Sequence, residues 1–187
     1  MLILVDSIGK YLTGIRDAEL LRYRKETIGE FIHNIRYNII KLNRYTHVIV
    51  HVGTNNVFNN KPGESLSLYR TLIHLIKQKC KNIIVGISSI LPRHKDHSLS
   101  GTDIKNVTLG LAKICKDEKV LFIRSYKIFF YSNGIIKRDL FAIRDGGLHL
   151  NERVYFSSNW LSSMYYLIGN IFLYVYILFI YYIFNMF

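Results

Sequence analysis

Unbroken apolar runs of strand length alternate in this chain with segments whose apolar residues recur at helical spacing. Leu2 to Val5 and Val48 to Val50, continuing to Val52, carry no polar alternation, the mark of strands buried on both faces of a parallel sheet. Asn82 to Ile87 reads as a further strand, with weaker ones at Leu20 to Arg24 and Val120 to Ile123. Between the first two strands, Lys10 to Glu19 reads as a short helix or loop. Thr27, with Glu30 three residues on, forms a capping-box pattern for a helix running through Leu42. Ile28, Phe31, Ile32, Ile35, Ile39 and Leu42 give that helix one apolar stripe. Leu66, Tyr69, Leu72, Ile73 and Ile76 stripe a second helix, and Ile104, Val107, Leu111, Ile114 and Cys115 a third. Gly53 to Gly63 and Ser88 to Gly101 read as loops, Arg124 to Arg144 as irregular, and a last helix is expected near Asn151. Strands alternating with helices of this length imply right-handed crossovers and an α/β fold with a parallel sheet covered by helices on both faces.

The tail departs from this pattern. Met164 to Phe187 holds no charged residue and is apolar all round rather than on one face. About 20 such residues span a bilayer as a helix, so one expectation is a domain over residues 1–163 and a transmembrane helix over 164–187. Lys and Arg all precede the tail, the nearest being Arg153, which predicts a cytoplasmic domain anchored by its carboxyl end. Its many tyrosines leave open the alternative of a tail buried on the sheet or an unselected extension. The four-residue apolar start is too short for a signal peptide. A start directly on a core strand also fits a piece of a longer protein.

Length and charge then narrow the partners. At 187 residues the chain suits one domain before its tail, and with 50% hydrophobic residues it is not a disordered polymer. A formal net charge of +12 favours anionic partners, nucleic acid or anionic lipid among them. The clusters at Arg22-Tyr23-Arg24-Lys25, at Lys77, Lys79 and Lys81, and at Arg93-His94-Lys95 are short, and no nucleic-acid motif accompanies them. Cys80 and Cys115, each at the end of an expected helix, have neither metal-ligand spacing nor the number for a disulfide framework.

Three polar stretches fall where such a sheet keeps its sites, at the carboxyl ends of strands. Asp6-Ser7 follows the first strand, Gly53-Thr54-Asn55-Asn56 the third, and Asp145-Gly146-Gly147-Leu148-His149-Leu150-Asn151 precedes the last helix. A serine, an asparagine, and a histidine preceded by an aspartate are the parts of an acyl-transfer site. His149 would take the Ser7 proton, Asp145 would fix the imidazole, and the Asn55 amide with backbone N–H groups such as that of Ser7 would hold the oxyanion.

VDSIG, HVGTNN and DGGLHLN resemble the GDS, GxND and DxxH blocks of the SGNH (GDSL-type) hydrolases. The resemblance covers about residues 2 to 160 and is similar in flavour to the esterase-like domains of animal retroelements. It implies a three-layer α/β/α fold around a flavodoxin-like, five-stranded parallel sheet and hydrolysis of acyl esters, acetyl among them, with neither metal nor cofactor. It also implies Ser7 as nucleophile, His149 as base, Asp145 as its orienting acid and Asn55 as oxyanion donor, acting on a small, uncharged acyl ester. Four positions depart from the family pattern. Val5 replaces the glycine before Asp-Ser, and Asn56 replaces an aspartate. Lys25-Glu26 stands where an oxyanion glycine is expected, and Asp145 precedes His149 by four residues rather than three. From sequence, Gly146 or Gly147 reads as a one-residue insertion. These departures supply the alternative to catalysis: an impaired module that binds nucleic acid through its basic surface.

Overall fold

The computed structural model describes residues 1–7, 17–24, 26–94, 97–142, 147 and 149–150. Among these residues five strands form one parallel sheet: β1 (Leu2–Val5), β2 (Glu19–Arg22), β3 (His47–His51), β4 (Ile84–Ser88) and β5 (Leu121–Ile123). Their order is β2-β1-β3-β4-β5, the flavodoxin-like arrangement, with β3 central between β1 and β4. Among the described residues four helices run between the strands: α1 (Ile28–Arg36), α2 (Thr54–Asn59), α3 (Pro62–Lys79) and α4 (His97–Asp117).

The alternation within each strand decides what covers the sheet. Leu2, Leu4, Val48, Val50, Val85 and Ile87 turn to one face, where α1, α3 and α4 pack through Phe31, Tyr69, Leu72, Val107 and Leu111. Ile3, Val5, Ile49 and Ile123 turn to the other, where Leu91, Phe129, Phe141 and Leu150 cover them. Burial of an aliphatic or aromatic side chain stabilises by roughly 1.5–3 kcal/mol, so both faces contribute and neither strand face tolerates polarity. Among the described residues the second face is covered by irregular chain, including 3-10 turns at Tyr126–Phe129 and Arg138–Leu140, rather than by a helix.

The strand ends shift by no more than two residues from the sequence expectation, and three boundaries differ by more. The capping box at Thr27 is formed, but α1 stops at Arg36 instead of Leu42. Asn38 adopts a left-handed φ of 57° and the Ile40 N–H turns back to the Asn34 carbonyl at 3.0 Å. The stripe is therefore thrown out of phase: Ile39 is 62% exposed and Ile40, which the pattern passed over, is buried. The expected loop from Gly53 to Gly63 contains α2 and the first turn of α3, which Pro62 opens from a position needing no N–H. The expected loop ending at Gly101 gives way to α4 at His97. Cys80 closes α3 and Cys115 lies in the last turn of α4, as expected. The last helix and the apolar tail lie outside the described residues; among those described, no helix is long and apolar enough to cross a membrane.

Gly53 has a conformational reason to be glycine. Its φ is +114°, and the fully buried Tyr69 hydroxyl occupies the space a Cβ would need as it donates to the Val52 carbonyl. Gly53→Ala should therefore destabilise the fold by at least about 2 kcal/mol from backbone strain and overpacking together. Urea unfolding measures this, and combination with Tyr69→Phe should cost less than the sum of the two single changes.

Candidate active site

The site region is built from the exits of β1 and β3, which the register places side by side: Val5 pairs with His51. The Asp6 N–H donates to the His51 carbonyl at 3.2 Å and continues that ladder by one step. The Asp6 side chain has no exposed surface, and its Oδ2 accepts the Thr54 N–H at 3.2 Å. Thr54 opens α2, so the carboxylate sits against the unpaired N–H groups of a helix start. The residue after Asp6 is Ser7 and the residue after Thr54 is Asn55. One buried hydrogen bond thus joins the immediate neighbours of two expected site residues. Ser7 itself is half-buried, where a hydroxyl can be met from solvent.

Asn55 is held from a third direction. Its Nδ2 donates to the Glu26 carbonyl at 3.0 Å, one of the two hydrogens that nitrogen carries. Glu26 is the residue before the α1 cap, and Lys25, beside it, lies outside the described residues. The Glu26 carboxyl meets the Asn34 amide at 3.2 Å, and burial, then the nearby Glu30 charge, raises it above the usual carboxylate range. Asn56, whose amide departs from the family's aspartate, is buried; its Oδ1 accepts the Ile28 N–H at 2.8 Å. An acceptor at this position ties the start of α1 to α2, and an amide oxygen serves as a carboxylate would. Val5, in place of the family's glycine, is buried within β1 and packs in the second core.

His149 is placed by the segment around it. Its carbonyl accepts the Ala142 N–H at 2.9 Å, and the next residue, Leu150, pairs with Phe141 and packs with Val5 and Leu91. That contact brings the histidine's segment over the face beneath β1 and β3. Gly147, which sequence reads as slack, has a structural task. Its φ is +86°, its N–H donates to the Ala142 carbonyl at 2.9 Å and its carbonyl accepts the His94 N–H at 3.2 Å. A Cβ there would stand 2.9 Å from the His94 ring. His94 Nε2 in turn accepts from Arg138 Nε at 2.7 Å. Asp145 lies outside the described residues. The sequence missed Asp6 and Asn56 as organising residues because their partners lie 48 and 28 positions away.

Compared with solved structures, the chain is similar to a member of the lipolytic protein G-D-S-L family from Veillonella parvula. The two share 18% identity over 82% of this chain and 90% of that one, with a TM-score of 0.67. A GDSL-like lipase from Bacteroides thetaiotaomicron shares 16% identity over 90% of this chain and 85% of that one, with a TM-score of 0.68. The fold is that of the GDSL-type hydrolases. An acetyl xylan esterase also has it, at 17% identity over 88% of this chain and 99% of that one and a TM-score of 0.65. No family model and no curated relative matches the sequence. Within this GDSL-type fold the likeness carries architecture, and the chemistry rests on the residues at hand.

The basic clusters do not share one face. Arg22 and Arg24 stand at the exit of β2 and Arg93 and His94 beyond the exit of β4, whereas Lys77 and Lys79 close α3 at the opposite end of the sheet. Lys77 donates to the Glu118 carbonyl and Lys79 to the Arg36 carbonyl at 3.0 Å, so both cap helix ends.

Two outcomes follow. Asn56→Ala strips a buried N–H of its acceptor and should cost about 1–3 kcal/mol, while Asn56→Asp should cost less; chemical denaturation separates them. His51 is buried, and burial lowers its pKa from 6.5 to about 4. The unfolded chain therefore takes up a proton that the fold refuses as pH falls through 6.5, and stability declines until about pH 4. That gap, at ~1.4 kcal/mol per pH unit, amounts to roughly 3–4 kcal/mol. His51→Asn should flatten the stability profile in this window.

Proposed function

We propose that the chain is a serine esterase that hydrolyses small, uncharged acyl esters, acetyl esters among them. The observation that carries this reading is the Asp6–Thr54 bond, which fixes the exits of β1 and β3 with Ser7 on one side and Asn55 on the other. Ser7 Oγ attacks the ester carbonyl while His149 accepts its proton; Asp145 orients the imidazole and stabilises the imidazolium. The developing oxyanion is held by the second hydrogen of the Asn55 amide and by the Ser7 backbone N–H. His149 returns the proton to the leaving alcohol, and water attacks the acyl-enzyme with the same base. The half-buried position of Ser7 and the pinned amide of Asn55 support these roles. The acetyl xylan esterase among the structural neighbours supports the ester class.

A second reading rests on Lys25-Glu26, where the family pattern has a glycine. In it the fold is kept, catalysis is lost and the +12 charge serves a nucleic acid or an anionic lipid.

Labelling by a fluorophosphonate and hydrolysis of p-nitrophenyl acetate distinguish the two. The parent should do both, Ser7→Ala neither, and Asn55→Ala should lower kcat by about 100- to 1000-fold. A folded parent that is neither labelled nor active removes the esterase reading. Gly147→Ala should lower activity by crowding His94, the support of the His149 segment, with kcat affected more than KM.

A further inference from the structure

A cavity of about 330 Å³ opens at the far side of the sheet edge, between α4, β5 and the 3-10 turn after it. β3 and β4 separate β5 from β1, so at three strand spacings the cavity stands roughly 14 Å from the exit that carries Ser7. Its size is at the lower end for small-molecule pockets. Three exposed cations surround it: Lys105 from α4, and Arg124 and Lys127 from the segment after β5. Among the described residues no carboxylate lines it. Leu109, Ala112, Phe122 and the Tyr126 ring supply hydrocarbon walls, and Leu109, 63% exposed, forms an apolar lip.

The remaining polar atoms offer protons. Ser89 is wholly buried, and its oxygen already accepts the N–H groups of Ser125 at 2.9 Å and Tyr126 at 2.8 Å, leaving its hydroxyl hydrogen to give. Thr108 lines the same cavity, and its Oγ1 is buried with no hydrogen-bond partner among the described residues. A buried hydroxyl without a partner is unfavourable, and a ligand oxygen would relieve it. Burial also raises the Tyr126 hydroxyl above its usual range, keeping it protonated and a donor.

From this geometry we propose a second binding site, for an amphiphilic anion: a carboxylate or phosphate head among Lys105, Arg124 and Lys127, with a medium-length apolar tail along Leu109, Ala112 and Phe122. The head takes charge-assisted hydrogen bonds, the strong kind, and the tail replaces water on hydrocarbon. A nucleobase suits the walls less well, because its amino groups would meet cations and apolar side chains. The proposal is independent of catalysis at Ser7.

Equilibrium dialysis of the full chain against radiolabelled decanoate and decyl phosphate, both kept monomeric, tests it. Saturable binding is expected, weakened about tenfold by Arg124→Gln or Lys127→Gln and equally by Leu109→Asp. Decanol, which lacks the head charge, should bind at least about tenfold more weakly. Hydrolysis of p-nitrophenyl acetate by these surface variants should equal the parent's, so the outcome here does not depend on the esterase reading. Absence of saturable binding, equal binding of decanol, or indifference to both cation variants overturns the site. Displacement of decanoate by a single-stranded oligonucleotide, or uptake only by phosphatidic acid vesicles with both monomers refused, overturns the choice of a single amphiphile as occupant.

Discussion

A carboxylate with no exposed surface has to be compensated where it lies, and the way Asp6 is compensated sets much of the structure around it. It accepts the first N–H of α2, so the end of β1 and the beginning of the helix after β3 are held as one piece. The consequences run inward as well as outward. Tyr69, fully buried beneath, is pushed well above its usual pKa by burial and then by the Asp6 charge, so its hydroxyl stays protonated and donates to the Val52 carbonyl. That hydroxyl takes the space beside Gly53, which is why the turn into α2 needs a residue without a Cβ. Outward, the same piece of chain presents Ser7 and Asn55. The buried charge, the left-handed glycine and the two candidate site residues form one mechanical unit.

A second tie makes that unit continuous with α1. Asn56 accepts the Ile28 N–H and Asn55 donates to the Glu26 carbonyl, so two successive side chains of α2 grip both sides of the Thr27 cap. The capping box itself, Thr27 with Glu30, satisfies the cap's own groups and leaves Ile28 to be satisfied from outside. A helix of six residues has little stability of its own. It persists here because its ends and side chains are engaged by Asp6 and by the start of α1.

This explains which parts of the protein were legible in the sequence. β1, β3 and β4 announced themselves because a strand buried on both faces needs no alternation, and α3 and α4 because their stripes are long enough to show a period. The sheet order placed Asp6-Ser7 and Thr54-Asn55 at one edge without further information. The end of α1 was not legible, since one left-handed residue, Asn38, exchanged the roles of Ile39 and Ile40. Nor was α2, which has no room for a stripe. Gly147 reads as surplus in a motif counted along the chain; in three dimensions its backbone bonds Ala142 and His94, which belong to different segments. Spacing reports what is local, and this glycine's work is not local.

The strong positive charge is likewise divided by what each cation touches. Lys77 and Lys79 spend their ammonium groups on the carbonyls at the ends of α4 and α1, where the helix dipole favours a cation. Arg44 pairs with Glu19 at 2.9 Å at the start of β2, and Arg138 bonds His94 beside the candidate site. Net charge therefore says little about partners until these are set aside. What distinguishes Lys105, Arg124 and Lys127 is that, though themselves exposed, they surround a cavity with hydrocarbon walls, so charge and apolar surface lie side by side. The parallel sheet thus offers two different environments along one edge. Near its centre, backbone ties hold polar side chains in place, and near its rim cations surround an apolar hollow.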